Sequence, residues 1–149
     1  MRRSRWTGGI AVLVATGAWI GNGASADLSL TGGSITLTVS AATAGSQPDP
    51  VDNTNCGLAW TTGGADPTQK ITVRSSLGDP EFPLTVEAQS VTAGTATGSV
   101  AVSVLDTDLI TDIAPNSTGS GQLHYQVSPT VAAGSGTESH TITYTITAQ

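Results

Sequence analysis

The chain has 149 residues, of which 11% are charged, with 5 basic and 11 acidic side chains for a net charge of −6. That length suits one domain with its own core, and the acidic balance argues against binding to phosphate backbones or anionic lipid surfaces. Cys56 is the only cysteine, so no internal disulfide is possible.

Taken in order, residues 1–26 read as a secretory signal peptide. Arg2, Arg3 and Arg5 form a positive start, residues 8–21 a short apolar run, and Ala24-Ser25-Ala26 the small-x-small pattern of a cleavage site. A spanning helix needs roughly 20 apolar residues, which disfavours the competing reading of an uncleaved anchor. Cleavage before Asp27 leaves Lys70 and Arg74 as the 2 basic residues against all 11 acidic ones, a balance of −9. The expected organisation is this signal followed by one domain over 27–149. The expected location is outside the cytoplasm, in the periplasm or at the cell surface, with no membrane insertion after cleavage.

The first strand signal changes parity part-way. Leu28 and Leu30 fall on even positions and Ile35, Leu37 and Val39 on odd ones, with Gly32-Gly33 between. Such a flip predicts a bulge, or a chain that leaves one sheet for the other. A polar loop with Pro48 and Pro50 is expected over 44–55. Cys56, Leu58 and Trp60 then share one parity. This predicts an inward, inert thiol beside a core tryptophan; an intermolecular disulfide and an exposed sugar-stacking indole are the alternatives.

Further strands are expected over 58–62, 69–75 with Ile71 and Val73 inward, and 84–89 with Leu84, Val86 and Ala88 inward. Val100, Val102 and Val104 predict another over 99–105, and Leu123, Tyr125 and Val127 one over 122–127. Residues 108–113 read as a single helical turn. The clearest strand is 140–147, where Ile142, Tyr144 and Ile146 alternate with Thr141, Thr143, Thr145 and Thr147. Gly63-Gly64-Ala65-Asp66-Pro67 and Gly78-Asp79-Pro80 supply turns. Seven to eight short strands without a sustained helical period predict an all-β fold, an antiparallel two-sheet immunoglobulin-like sandwich.

The segment 131–147, with Gly136 in a small-residue turn before the final alternating strand, resembles the ending of small secreted bacterial immunoglobulin-like β-sandwich proteins. It is similar to pilin-like subunits of the spore coat protein U and chaperone-usher type. This sequence departs from them in having Ala148 at the penultimate position, where an aromatic is usual, and in lacking their cysteine pair. The resemblance implies a surface subunit.

Candidates for chemistry are few. A nucleophile pair would need Cys56 beside His124 or His140 and an orienting group. No local signature surrounds any of them, so an enzyme is not expected and no cofactor is implied. Asp106, Asp108 and Asp112 form an oxygen-rich cluster that invites Ca²⁺, but without the spacing of a known calcium loop. Ordinary turn chemistry explains it as well. The expected function is a secreted, non-enzymatic structural or adhesive cell-surface protein such as a fibre or coat subunit; the alternative is an extracellular module binding carbohydrate or calcium. The expected partner is a second copy, through exchange of the strand carrying Leu28 and Leu30, or another surface protein.

Overall fold

A computed structural model describes residues 26–38, 47–131 and 138–149. The chain is a β-sandwich of two antiparallel sheets. Its strands are β1 (Asp27–Thr31), β2 (Val51–Thr61), β3 (Gln69–Ser75), β4 (Leu84–Gln89), β5 (Thr95–Ala96), β6 (Val100–Ala101), β7 (Thr107–Ile113), β8 (Thr118–Val127) and β9 (Ile142–Ala148). One sheet has the order β1-β2-β8-β4-β6 and the other β5-β7-β3-β9. All but Ala26 of the expected signal, as well as Val39 and Gly136, lie outside the described residues.

Period-two alternation builds the core. Leu84, Val86 and Ala88 of β4 meet Leu123, Tyr125 and Val127 of β8 on one inner face. Ile71 and Val73 of β3 meet Ile142, Tyr144 and Ile146 of β9 on the other. These expected inward residues are all buried, as are Cys56, Leu58 and Trp60. Completely burying one large apolar side chain contributes about 1.5–3 kcal/mol, so these shared faces supply most of the drive to stack the sheets. Between the layers the Tyr125 and Tyr144 hydroxyls hydrogen-bond to each other at 2.5 Å. Burial pushes both phenols above the ordinary tyrosine range.

The parity flip after β1 is a turn. The ladder with β2 ends at Thr31, Gly32 and Gly33 take φ values of 90° and 39°, and Ile35 and Leu37 then enter the core. A Cβ on Gly32 would sit 3.0 Å from the Cys56 Cα, so both dihedral and space require glycine there.

Three expectations change. The loop expected over 44–55 gives way at Val51 to β2, whose Val51, Asp52 and Asn53 pair with Val127, Gln126 and Tyr125. One extra β2 residue between Asn53 and Cys56 makes a bulge that absorbs part of this polar run without ending the strand. The helical turn over 108–113 is strand β7 instead. Its Leu109, Ile110 and Ile113 imitate a helical spacing because the β3–β7 register shifts on both sides of Ile71, which lets neighbouring residues both reach the core. The strand over 99–105 shrinks to Val100–Ala101; Val102 is buried and donates its N–H to the Leu84 carbonyl, while Val104 and Leu105 turn out to solvent.

β8 also starts earlier than expected, with Gly119 opposite Trp60. A Cβ on Gly119 would lie 2.6 Å from Trp60 Nε1 and closer still to the ring carbons Cε2 and Cζ2. The indole lies flat across the neighbouring strand and needs a residue with no side chain there. At the same end, Thr62 Oγ1 donates to the Ala114 carbonyl and accepts the Ser117 N–H. This ties the β2–β3 turn to the β7–β8 turn.

Candidate functional site

The two strands nearest the ends of the described chain are edge strands, and the topology brings them to one flank. β1 begins the five-stranded order, β9 ends the four-stranded order, and the two approach each other across the layers. Edge strands carry backbone N–H and C=O groups on one side that no strand of their own sheet takes up, and soluble proteins usually shield them with charges, prolines or bulges. β9, with the sequence ITYTITA, contains no charge and no proline, and its register with β3 runs unbroken from Ser75↔Ile142 to Gln69↔Ala148. Its inner residues anchor it to β3, and among the described strands none pairs along its other side.

β1 has a different balance. Leu28 is buried in the core, Leu30 is half-buried, and all five residues pair with β2 from Asp27↔Thr61 to Thr31↔Gly57. The apolar side chains expected to dock on a neighbour are therefore used within the subunit. What β1 presents outward is its backbone edge, followed by the Gly32–Gly33 turn.

The acidic trio does not converge. Asp106 lies 3.9 Å from Arg74, Asp108 pairs with Lys70 at 2.8 Å, and Asp112 accepts a hydrogen bond from the Thr111 hydroxyl. The two cations of β3 thus face the acids of and beside β7. Among the described residues no three His, Cys, Asp or Glu side chains are grouped to hold a metal ion.

The two histidines occupy unlike places. His124, on the outer face of the five-stranded sheet, has Asp52 at 3.5 Å and Glu87 at 3.7 Å on neighbouring strands. His140, just before β9, is buried with 1% exposure. Its Nδ1 hydrogen-bonds with Ser75 Oγ at 2.9 Å and its Nε2 lies 2.5 Å from Glu138 Oε1. Hydroxyl, imidazole and carboxylate in series make the arrangement of an activated nucleophile. Chemistry also requires a substrate at the hydroxyl, yet Ser75 is 4% exposed and its Oγ accepts the Leu77 N–H. Glu138 Oε2 in turn accepts the Glu81 N–H. The chain of bonds therefore fastens the segment before β9 to the end of β3 and the β3–β4 connection. Cys56 is far from such use as well: it is 1% exposed, and burial pushes its thiol up.

Sequence reasoning missed the Ser75–His140–Glu138 series, whose one signal was a histidine and a glutamate two residues apart before an alternating strand. Ser75 joins them only through the β3–β9 pairing. Comparison with protein families and with curated proteins gives no match for this chain.

Proposed function

We propose that this β-sandwich is a secreted structural or adhesive subunit of a cell-surface assembly, joined to further copies or to another surface protein through strand pairing at its free flank. The observation that carries this reading is β9: a seven-residue edge strand with no charge, proline or register shift to prevent another strand from adding to it. An exported chain with sparse charge and a signal-like start fits that role. So does the resemblance of its last strand to pilin-like subunits. The donor is β1 of a neighbour, released at the Gly32–Gly33 turn, or a strand of another surface protein. No enzymatic role is part of this reading.

The test uses two outward-facing positions of β9. The secreted protein, concentrated and examined by gel filtration and electron microscopy, forms oligomers or fibres. Thr143→Lys with Thr145→Lys places charges along the edge, and should leave a folded monomer with an unchanged circular dichroism spectrum. A parent protein that stays monomeric at high concentration without a helper, or a double variant that assembles like the parent, would overturn the proposal.

A further inference from the structure

The outer face of the five-stranded sheet contains a cleft of about 380 Å³ that the assembly reading does not use. Its origin is a gap in a row of side chains. Thr31, Gly57, Gln122 and Gln89 lie side by side on β1, β2, β8 and β4. Gly57 is the one member of that row without a side chain, so the sheet is hollow there. A Cβ on Gly57 would point into the hollow and meet Thr31 Oγ1 at 2.8 Å.

The rim is raised by two further features. The bulge between Asn53 and Cys56 pushes Thr54 and Asn55 out of the ladder on one side. Ser90, held at φ 54°, turns the chain at the other. Gln122 Nε2 donates to the Thr54 carbonyl at 3.0 Å, which fixes one wall and leaves its Oε1 as an acceptor. The Asn55 backbone N–H donates to Asn53 Oδ1 at 2.8 Å, whereas its side-chain amide and the Thr54 and Ser90 hydroxyls hydrogen-bond to nothing among the described residues. The cleft thus presents donors and acceptors in both senses.

We infer that this cleft binds a neutral, polyhydroxylated ligand, a short stretch of uncharged saccharide. Charge decides the ligand class. None of the nine lining residues is charged, in a domain whose balance is −9. A cation would need carboxylates to replace its water, and an anion would need lysine or arginine. Hydroxyl and amide groups instead match sugar hydroxyls, which both donate and accept. The volume lies at the small end of ligand sites, about 300–1,000 Å³, so about one or two rings fit. An open site without an aromatic platform binds weakly, with a Kd on the order of 1 mM. The inference does not rest on assembly, although release of β1 would take Thr31 from the cleft wall.

The test is an amide-resolved NMR titration of the full chain with cellohexaose, maltohexaose and chitohexaose, each to about 10 mM, a range suited to millimolar affinity. At least one probe shifts the amides of Thr54, Asn55, Gly57, Ser90 and Gln122, while oligogalacturonate, the charged counterpart, does not. Asn55→Ala with Gln122→Ala, both exposed positions, should weaken binding about tenfold, the loss of one or two net hydrogen bonds. Gly57→Val fills the floor with a good strand former and abolishes the shifts, with thermal melting confirming that the variant is folded. The inference is overturned by the absence of shifts with all three neutral probes, by equal shifts with oligogalacturonate, or by undiminished affinity in the Asn55/Gln122 double variant.

Discussion

Gly119→Ala tests the packing of the sandwich with one carbon atom. The added Cβ would lie 2.6 Å from Trp60 Nε1, whereas carbon atoms pack best at about 3.5–4.0 Å. The overlap therefore approaches an ångström, and is larger at the ring carbons. Trp60 is 2% exposed in a filled core, so the indole has no free space to move into. Either the ring leaves its rotamer or β8 draws away from β2. Overpacking of this kind costs about 1–3 kcal/mol and sometimes more; a rigid ring clashing with backbone-attached carbon belongs at the upper end, about 3 kcal/mol. Against a total stability of about 5–15 kcal/mol, that lowers the melting midpoint of a domain this size by roughly 10 °C. Circular dichroism follows the midpoint. Fluorescence follows Trp60 itself, the only tryptophan after residue 26. Two controls isolate the cause. Gly57→Ala, whose Cβ meets the Thr31 hydroxyl at 2.8 Å and the Gly121 carbonyl at an ordinary 3.9 Å, should change the midpoint little, because the hydroxyl can rotate away. In a Trp60→Phe background the smaller ring should reduce the cost of Gly119→Ala, and the double-mutant cycle reports the difference. A Gly119→Ala protein with unchanged midpoint and emission would refute this account of the glycine.

Three further outcomes follow from the buried hydroxyls and thiol. The folded state holds Tyr125 and Tyr144 protonated above the unfolded tyrosine pKa of about 10. The unfolded chain therefore releases protons first, so the stabilisation is fully present below pH of about 10 and falls by about 1.4 kcal/mol per pH unit for each tyrosine above it; denaturant midpoints measured from neutral to strongly alkaline pH check this, and a flat profile in that window would contradict the buried pair. Tyr125→Phe should cost about 1–3 kcal/mol by stranding the Tyr144 hydroxyl, with a smaller further loss in the double Phe variant. Cys56 should react with a thiol reagent slowly in the native protein and rapidly in denaturant; fast native labelling, or a dimer lost on reduction, would restore the intermolecular disulfide.

Much of the fold could be read where one physical rule acted alone. Ile142, Tyr144 and Ile146 alternate without interruption, and the unbroken β3–β9 register turns that alternation directly into burial. Reading failed where pairing overrode local preference. Asp52 and Asn53 are poor strand formers, yet β8 recruits them, and the bulge before Cys56 restores the inward parity of Cys56, Leu58 and Trp60. Leu109, Ile110 and Ile113 carried a helical period because β7 is irregular in register. The candidate sites were less legible still. The β9 edge is a property of sheet order, His140 meets Ser75 through pairing across 65 residues of chain, and the cleft exists because Gly57 has polar neighbours on three other strands.

The same long-range pairing has a consequence for the order of events in folding. β3 has two neighbours in its sheet, and one of them, β9, lies far along the chain, with Gln69 waiting for Ala148 and Ser75 for Ile142. β2 waits similarly for β8, Val51 for Val127. Neither of these pairings can form while the second half of the chain is still being made, and contacts of such separation form slowly, in milliseconds to seconds for sandwiches. The nascent chain therefore completes no stable unit of the sandwich early. In this late-closing topology the arrival of β9 fixes when the four-stranded sheet is complete.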